Sequence, residues 1–550
     1  MNNGKEKPKV IVLGGGVAGM SAAHELMERG FNVSVYEAKS IPGGKARSMT
    51  VKGSGTNGRK DLPSEHGFRF FPKFYKHITD TMKRIPYNYN KRGVFDNLIE
   101  GTNLGLAFFD RAMLPFVTEF PTTIHDWKTM LTSLFDNHLG LSKEDVEHYV
   151  ERLWQMMTSS DIRRLLDYQR ISWWDFIEAD KQSEQFRQVF AGLSRILVAA
   201  KAKEANACTI GTVGATLMLD MVTPGGSADR LLDGPTNDVW LTPWHRYLTE
   251  NGVEFHMEAK VTSIHMKDGE VAGVTIDHAG QTELVIGDCY IFALPVEVMA
   301  KLVNEELIKA DALLAQLIPL SDSVEWMNGV QFYLSEDVPL IHGHIICMDS
   351  PWALTLISQQ QFWNNYPLSE YGDGRVRGVI SVDVSDWEAP GILFGKPAMK
   401  CTREEIRAEV WEQLKRSFNH NGEEVLSDEM VVDWYLDEDI HFPNPHESVN
   451  MEPLLVNRVH TWSMRPNAYT QIPNLYLASD YVRTNTDLAT MEGANEAARR
   501  AVNAILEHYQ IDENPCKIWD MYDFDLLKAW RSNDENRYER GLPWNGKIVG

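Results

Sequence analysis

Near its start the chain places four consecutive apolar residues, Val10-Ile11-Val12-Leu13, the pattern of a short strand buried on both faces. From Val17 to Arg29 the period lengthens: Met20, Ala23, Leu26 and Met27 recur at helical spacing, and Gly30 closes the helix. Asn32 to Tyr36 then alternates Val33 and Val35 as a second strand, with Glu37 at its end. Far along the chain, Val253-Glu254-Phe255, Val261 to Ile264 and, after a hairpin, Cys289 to Leu294 predict further strands, and Leu475 to Ala478 another. Ala497, Ala501 and Ile505 share one face of a helix within Asn495 to Leu506. Residues 101–230 read as helices, with apolar positions at i, i+3 and i+4 in Ser142 to Met157 and Asp161 to Gln169. Residues 301–455 mix strands (Gly329 to Leu334, Val376 to Val384) with a helix over Arg403 to Phe418.

The turn between the first strand and helix is Gly14-Gly15-Gly16-Val17-Ala18-Gly19, a G-x-G-x-x-G. Gly14 permits a tight turn, Gly16 lets backbone approach a pyrophosphate, and Gly19 lets the helix pack on the strand with its N-terminus toward the phosphates. Glu37 is placed to accept hydrogen bonds from a ribose hydroxyl, and its charge disfavours a 2′-phosphate. Strand, glycine turn, helix, strand and acid in register predict dinucleotide binding. A second turn, Gly43-Gly44-Lys45-Ala46-Arg47, adds backbone N–H groups and cations near the same pyrophosphate. Asp480, after the strand at Leu475 to Ala478, is placed to bind a polyol hydroxyl. Gly493 opens a helix whose N-terminus can face an electron-rich group of a ligand.

The Gly-Gly-Lys segment resembles that of the flavin amine oxidase and phytoene desaturase superfamily. The C-terminal stretch, Arg465-Pro466, then Leu477-Ala478-Ser479-Asp480-Tyr481, then Met491-Glu492-Gly493-Ala494, is similar to the FAD signature of plant-type phytoene and zeta-carotene desaturases. Ser479 stands where that family usually has glycine, and Glu496-Ala497 where Ser-Gly is common. Glu65-His66-Gly67-Phe68-Arg69-Phe70-Phe71 resembles a third family segment, with Arg69 in place of histidine. The resemblance implies an α/β fold: a Rossmann-type, glutathione-reductase-like FAD domain from 1–100, 231–300 and 456–510. A mixed α+β substrate domain from 101–230 and 301–455 would be inserted in it, followed by a tail, 511–550. It implies FAD contacts from Gly14, Gly16, Ala18, Gly19, Glu37, Ala38, Gly43, Gly44, Lys45, Ala46 and Arg47. Further contacts would come from Gly67, the backbone of Val261 at the adenine, Asp480, Met491, Glu492 and Ala494, with Gly67 and Arg69 near the ring. The implied activity is FAD-dependent desaturation of a long isoprenoid or acyl-type substrate, free or carrier-bound. A flavin amine oxidase with an aromatic cage from Trp462 or Tyr481 is the alternative; a non-redox isomerase or hydroxysqualene dehydroxylase-like enzyme is a further one. Quinone and oxygen are both open as acceptors, and no residue is marked as a general base.

The formal net charge of −23 over 550 residues argues against a nucleic-acid partner. Cys208, Cys289, Cys347, Cys401 and Cys516 are scattered and suit buried thiols in a reducing compartment. His342, His344 and Cys347 lie close in sequence, but no second cluster completes a shell, so no metal is expected. The absence of a second dinucleotide fingerprint argues against an NADPH-reducing domain. No apolar run reaches the length of a bilayer span and no signal-peptide core is seen, so a cytoplasmic protein is expected, with contact at a membrane surface left open. Leu104, Phe108, Phe109, Met113, Leu114 and Phe116 are expected to fill the core of a helical subdomain rather than dip into lipid. Trp173, Trp174, Met218 and Met221 either line an apolar tunnel or pack. Trp519, Trp530 and Trp544 in the tail wrap the surface or a partner, and the oligomeric state is open.

Overall fold

The computed structural model describes residues 7–116, 139–222, 229–521 and 527–549. Strand β1 (Lys9–Leu13), with its four apolar residues fully buried, runs into helix α1 (Val17–Glu28) and returns as β2 (Asn32–Tyr36). Helix α2 (His77–Arg84) follows, then the hairpin β3 (Asn103–Phe108) and β4 (Arg111–Phe116). Helices α3 (Lys143–Thr158) and α4 (Ala207–Val222) belong to the next block. Strand β5 (Glu254–His256) leads through an antiparallel meander, Ala259–Lys267, Glu270–His278 and Gln281–Val285, to β6 (Cys289–Phe292). Then come β7 (Asn328–Leu334), β8 (Gly343–Cys347), β9 (Leu354–Ser358), β10 (Gly378–Val384), α5 (Arg403–Phe418) and β11 (Val431–Leu436). The chain ends with β12 (Leu475–Leu477), α6 (Met491–Tyr509) and α7 (Lys528–Glu539).

Two sheets organise these elements. The first is parallel, in the order β12-β6-β1-β2-β5, with Ile11 opposite both Tyr290 and Ser34. Sequence segments far apart therefore meet side by side at β1, the arrangement of a Rossmann-type sheet. Helix α6 buries Ala497, Ala501 and Ile505 completely, and Asn495 Nδ2 donates to Ser21 Oγ of α1 at 2.7 Å. The second sheet is mixed, in the order β11-β7-β10-β9-β8-β3-β4, parallel only between β8 and β3. Its two faces differ because side chains alternate along a strand. Val330, Phe332, Ile380 and Val382 pack with Ile406, Val410 and Leu414 of α5 in one core. Gly329, Gln331, Ser381 and Asp383 point the other way. On that face Gln331 Oε1 accepts from the Glu65 N–H at 2.9 Å, and Tyr333 Oη donates to the Pro63 carbonyl at 2.6 Å.

The helical expectation for 101–230 is corrected at its start, since 103–116 forms two strands of the mixed sheet. In β3, Leu104, Leu106 and Phe108 face a core with α3, whereas Ala107 faces the α5 side. Large residues alternate with Gly105 and Ala107, a period of two rather than 3.6. Asp110, which interrupts the apolar run, is the hairpin turn with φ +58°, a conformation that Asp tolerates. The side chains of Phe116, Met218 and Met221 lie outside the described residues. Trp173 is buried with Nε1 donating to Phe190 O, and Trp174 packs under Lys203, so both pack rather than line a tunnel. The tail clasps its own chain: Asp534 receives Ser160 and Arg163, and Trp544 Nε1 donates to Thr158 Oγ1 at 3.0 Å. Among the described residues no helix is long and apolar enough to cross a membrane.

Candidate active site

At Gly14 and Gly19 the glycine turn leaves no room for a side chain. Gly14 has φ +105°, and a Cβ there would come within 2.4 Å of Ala293 O; a Cβ at Gly19 would lie 1.8 Å from Gly14 O. Gly16, the N-cap of α1, carries no capping side chain and faces Gly44 across the second turn, with Gly43 N donating to Gly15 O at 2.8 Å. Two glycine turns thus expose backbone and a helix N-terminus to one space, a cradle for phosphate. Glu37 closes one end, where its carboxylate accepts from Gly15 N at 2.6 Å and Lys39 N at 2.8 Å. Burial nevertheless pushes its pKa up, against those two backbone bonds.

This space is a cavity of about 750 Å³ that runs from Glu37 and Val261 past both glycine turns to Asp480 and the start of α6. It continues to an apolar end lined by Leu197, Val198, Ile210, Val213, Leu217 and Phe74. Of the sequence-predicted residues, Gly14, Gly16, Ala18, Glu37, Ala38, Gly43, Gly44, Lys45 and Ala46 line it, as do Gly67, Arg69, Val261, Asp480, Met491 and Ala494. Gly19, Arg47 and Glu492 do not. Gly19 acts from behind, by letting α1 close on the turn. Arg47 is buried and donates to Gly44 O at 2.7 Å, to Glu452 at 2.8 Å and to Asp439. Glu492 turns away and caps α2, accepting from the N–H groups of Lys76, His77 and Ile78 and pairing with His77 Nδ1. Helix α6 starts at Met491, two residues before the expected Gly493, with Thr490 Oγ1 accepting from Gly493 N at 3.1 Å.

The wall beside Arg47 carries charge that sequence reasoning missed. Asp439 and Glu452 hold Arg47 and Lys39 between them, and His66 Nδ1 lies 2.8 Å from Asp437. Burial pushes the Glu452 carboxyl up, but Arg47, His66 and Lys39 outweigh it and hold the pKa at about 2. His66, Asp439 and Glu452 bring ligating atoms within 4.8 Å of one another, yet both carboxylates already serve these cations. His344 and Cys347 point to opposite faces of β8, His344 toward Phe68 and Phe70 and Cys347 into the α5 core, so the triplet considered from sequence does not converge. Arg69 spends its guanidinium on carbonyls: Gly67 O at 2.8 Å, Phe68 O at 3.2 Å, and Lys45 O. Arg465 ties the turn after β12 by donating to Tyr481 O at 2.9 Å and Val482 O at 2.8 Å. Trp462 and Tyr481, considered for an aromatic cage, are not among the lining residues. The residues fit FAD on these grounds: a glycine cradle in which Gly14 and Gly19 leave no room for a Cβ, an acid at one end, and a helix N-terminus at the other.

The family described as flavin containing amine oxidoreductase matches residues 17–506. The zeta-carotene desaturase of Synechocystis sp. is 23% identical over 90% of this chain and 97% of its own. The chloroplastic/chromoplastic zeta-carotene desaturase of Zea mays is likewise 23% identical, over 90% of this chain and 82% of its own. Among solved structures, a putrescine oxidase bound to putrescine aligns with TM-score 0.58 at 12% identity, covering 92% of this chain and 99% of the other. Cyclohexylamine oxidase from Brevibacterium oxydans aligns with TM-score 0.57 at 13% identity, covering 92% and 100%. The chain is an FAD-dependent oxidoreductase and belongs to the flavin containing amine oxidoreductase family.

Proposed function

We propose that the chain desaturates a long isoprenoid hydrocarbon, the reading carried by the cavity's apolar end. Leu197, Val198, Ile210, Val213 and Leu217 offer a polyene van der Waals contact and no charge, and this end is continuous with the cofactor cradle. The relatives named zeta-carotene desaturase support the same substrate class. An amine substrate is less favoured, because the buried Arg69 cation stands at the cavity wall and would repel an ammonium ion.

In this reading the Gly14–Gly19 and Gly43–Gly44 turns and the N-terminus of α1 hold the diphosphate, and Glu37 holds a ribose. Asp480 and the first turn of α6 hold the ribityl and ring end. When bound, the flavin supplies a two-electron hydride acceptor. The chain's own work is to orient the substrate chain, exclude water from the apolar end, and keep Gly67 free of a side chain where a carbon must approach. Either a quinone or oxygen serves as terminal acceptor.

The test is incubation of the FAD-loaded protein with an acyclic carotene in phosphatidylcholine vesicles, with a benzoquinone or with air. A product two hydrogens poorer is expected by chromatography and mass spectrometry. Hydrogen peroxide released from an amine panel, with the carotene unchanged, would overturn the reading in favour of an amine oxidase.

A further inference from the structure

One carboxylate in the cavity is left over once cradle, caps and ion pairs are assigned. Asp383 lies on β10, on the face turned away from α5, in register with Gly329 of β7 and Thr355 of β9. Gly329 presses against the Glu65–Phe71 segment: its N–H donates to His66 O at 2.8 Å, and a Cβ on it would lie 2.9 Å from Gly67 Cα. A Cβ on Gly67 would in turn meet Asp383 Oδ1 at 2.6 Å. The carboxylate therefore stands directly over the glycine, and only glycine at 67 leaves it room. Asp383 is 5% exposed, it lines the cavity, and its Oδ1 is buried without a hydrogen-bond partner. Among the described residues no other cavity-lining carboxylate has a buried oxygen in that state. Glu37 is held by backbone N–H groups, and Asp439 and Glu452 are held by Arg47 and Lys39. A buried acceptor left unsatisfied costs about 1–3 kcal/mol, so a fold that keeps one at a ligand site invites a role for it.

We infer that Asp383 is the proton acceptor of the desaturation, taking at Oδ1 the proton of the carbon next to the one that gives up hydride. The inference rests on the desaturase reading above. One C–H pair leaves as hydride to the oxidised flavin. The proton of the adjacent C–H passes to Asp383, and the electron pair it leaves behind becomes the new carbon–carbon π bond. Reduction of a quinone to its quinol consumes the hydride equivalent and that proton together, which returns Asp383 to the carboxylate. The groups facing Asp383 suit the exchange. Burial raises its pKa to about 7; Arg69, His66 and a hydrogen bond from the Phe68 backbone oppose that rise, and Asp437 adds to it. A base poised near neutrality can both take and release a proton. Arg69, with its own Nε buried and unpartnered, supplies the positive charge beside the carboxylate.

The experiment uses the FAD-loaded full chain as wild type, Asp383→Asn and Asp383→Glu. Each is followed by the infrared carboxyl bands against pH and by turnover of an acyclic carotene in phosphatidylcholine vesicles with a benzoquinone. Glu65, Asp220 and Asp229 also titrate near pH 7, so the band of Asp383 is read from the wild-type-minus-Asp383→Asn difference spectrum, where one buried carboxyl band titrating near pH 7 is expected. Asp383→Asn keeps its FAD content and flavin spectrum while its kcat falls by about 10²–10⁴-fold. Asp383→Glu restores a carboxyl band and part of the rate. An Asp383→Asn enzyme that turns over at the wild-type rate, or a difference spectrum with no band titrating near pH 7, overturns the assignment. A wild type that shows the band but leaves the carotene unchanged overturns the desaturase reading, and the proton-acceptor role falls with it; the band tells the two failures apart.

Discussion

Glu37 shows how one side chain shapes a nucleotide site. Its carboxylate is fixed by the N–H groups of Gly15 and Lys39, so it is preorganised before any ribose arrives. Hydrogen bonds to a charged group are worth about 1.5–3 kcal/mol, so Glu37→Arg should weaken FAD binding by about 10–100-fold or more. The ratio of flavin to protein absorbance after gel filtration measures this, and an unchanged ratio would remove Glu37 from the site. Asp480→Ala should act in the same direction and more weakly, because Asp480 is only partly buried and its carboxylate is held loosely, accepting from Ser479 Oγ at 3.3 Å; isothermal titration with FAD reads the difference. At this scale the sequence was informative where chemistry depends on local order. Gly14, Gly16 and Glu37 announce themselves because a turn, a helix and an acid must follow one another at fixed spacing. Asp383 does not. Its one sign is a lone acid in the otherwise uncharged strand Gly378–Val384, and the Gly67 it stands over is more than three hundred residues away. Glu492 misled for the same reason: it sits within a cofactor-like motif, but its partners are the N–H groups at the start of α2, brought near only by the fold.

At the scale of elements, that cap carries a prediction. Helix α2 starts at His77 with no capping side chain of its own, and Glu492 satisfies the orphan N–H groups in place of a local Ser or Asp. Its position against a helix N-terminus is also favoured by the helix dipole. Glu492→Ala should cost about 1–3 kcal/mol by leaving several buried donors unpaired. The melting temperature of the apoprotein should therefore fall, whereas FAD affinity measured below the melt should change little. A loss of FAD binding without a loss of stability would instead return Glu492 to the cofactor site. Strand-by-strand reading succeeded for β1, β2 and β10 and for α5, where a single period runs the whole length. It fails at β3 and β4, where apolar density hides the alternation of Gly105 and Ala107 with Leu104, Leu106 and Phe108. Strand β3 is buried on both sides, between the α3 core and the α5 core, so its residues carry no polar stripe that would have marked a strand, whereas β4 is the sheet's edge and exposes Arg111, Ala112 and Pro115.

For the molecule as a whole, the balance of shifted acids sets how stability varies with pH. Glu65, Asp220, Asp229 and Asp383 have pKa values that burial raises to about 7, against about 4 in an unfolded chain. Between those values the folded state binds more protons than the unfolded state, so stability rises as pH falls from 7 toward 4. Glu25 and Glu452 are shifted the other way, to about 2; burial alone would raise both, but Arg499 and Arg84 around Glu25, and Arg47 around Glu452, prevail. Their contribution is present above the unfolded value and is lost as pH falls from about 4 toward 2. His344, lowered by burial to about 4, opposes the first trend by losing stability as pH falls through its unfolded value near 6.5. Burial lowers His24 and His245 in the same way, but it also raises Glu37, Asp233, Glu297 and Asp337, so raised carboxyls outnumber lowered imidazoles, and the charge of −23 repels itself less as acids are neutralised. The apoprotein should therefore melt at a higher temperature near pH 5 than at pH 7.5, and fall again toward pH 3. A net gain of 1 kcal/mol would move the midpoint by about 1 °C for a chain of this size. Asp383→Asn removes one of these raised carboxyls, so the rise between pH 7.5 and 5 should be smaller in that variant than in wild type. Scanning fluorimetry across that range decides it: an apoprotein whose melting temperature climbs steadily from pH 5 to 7.5 would mean that the buried acids stay ionised in the folded chain, and with them Asp383.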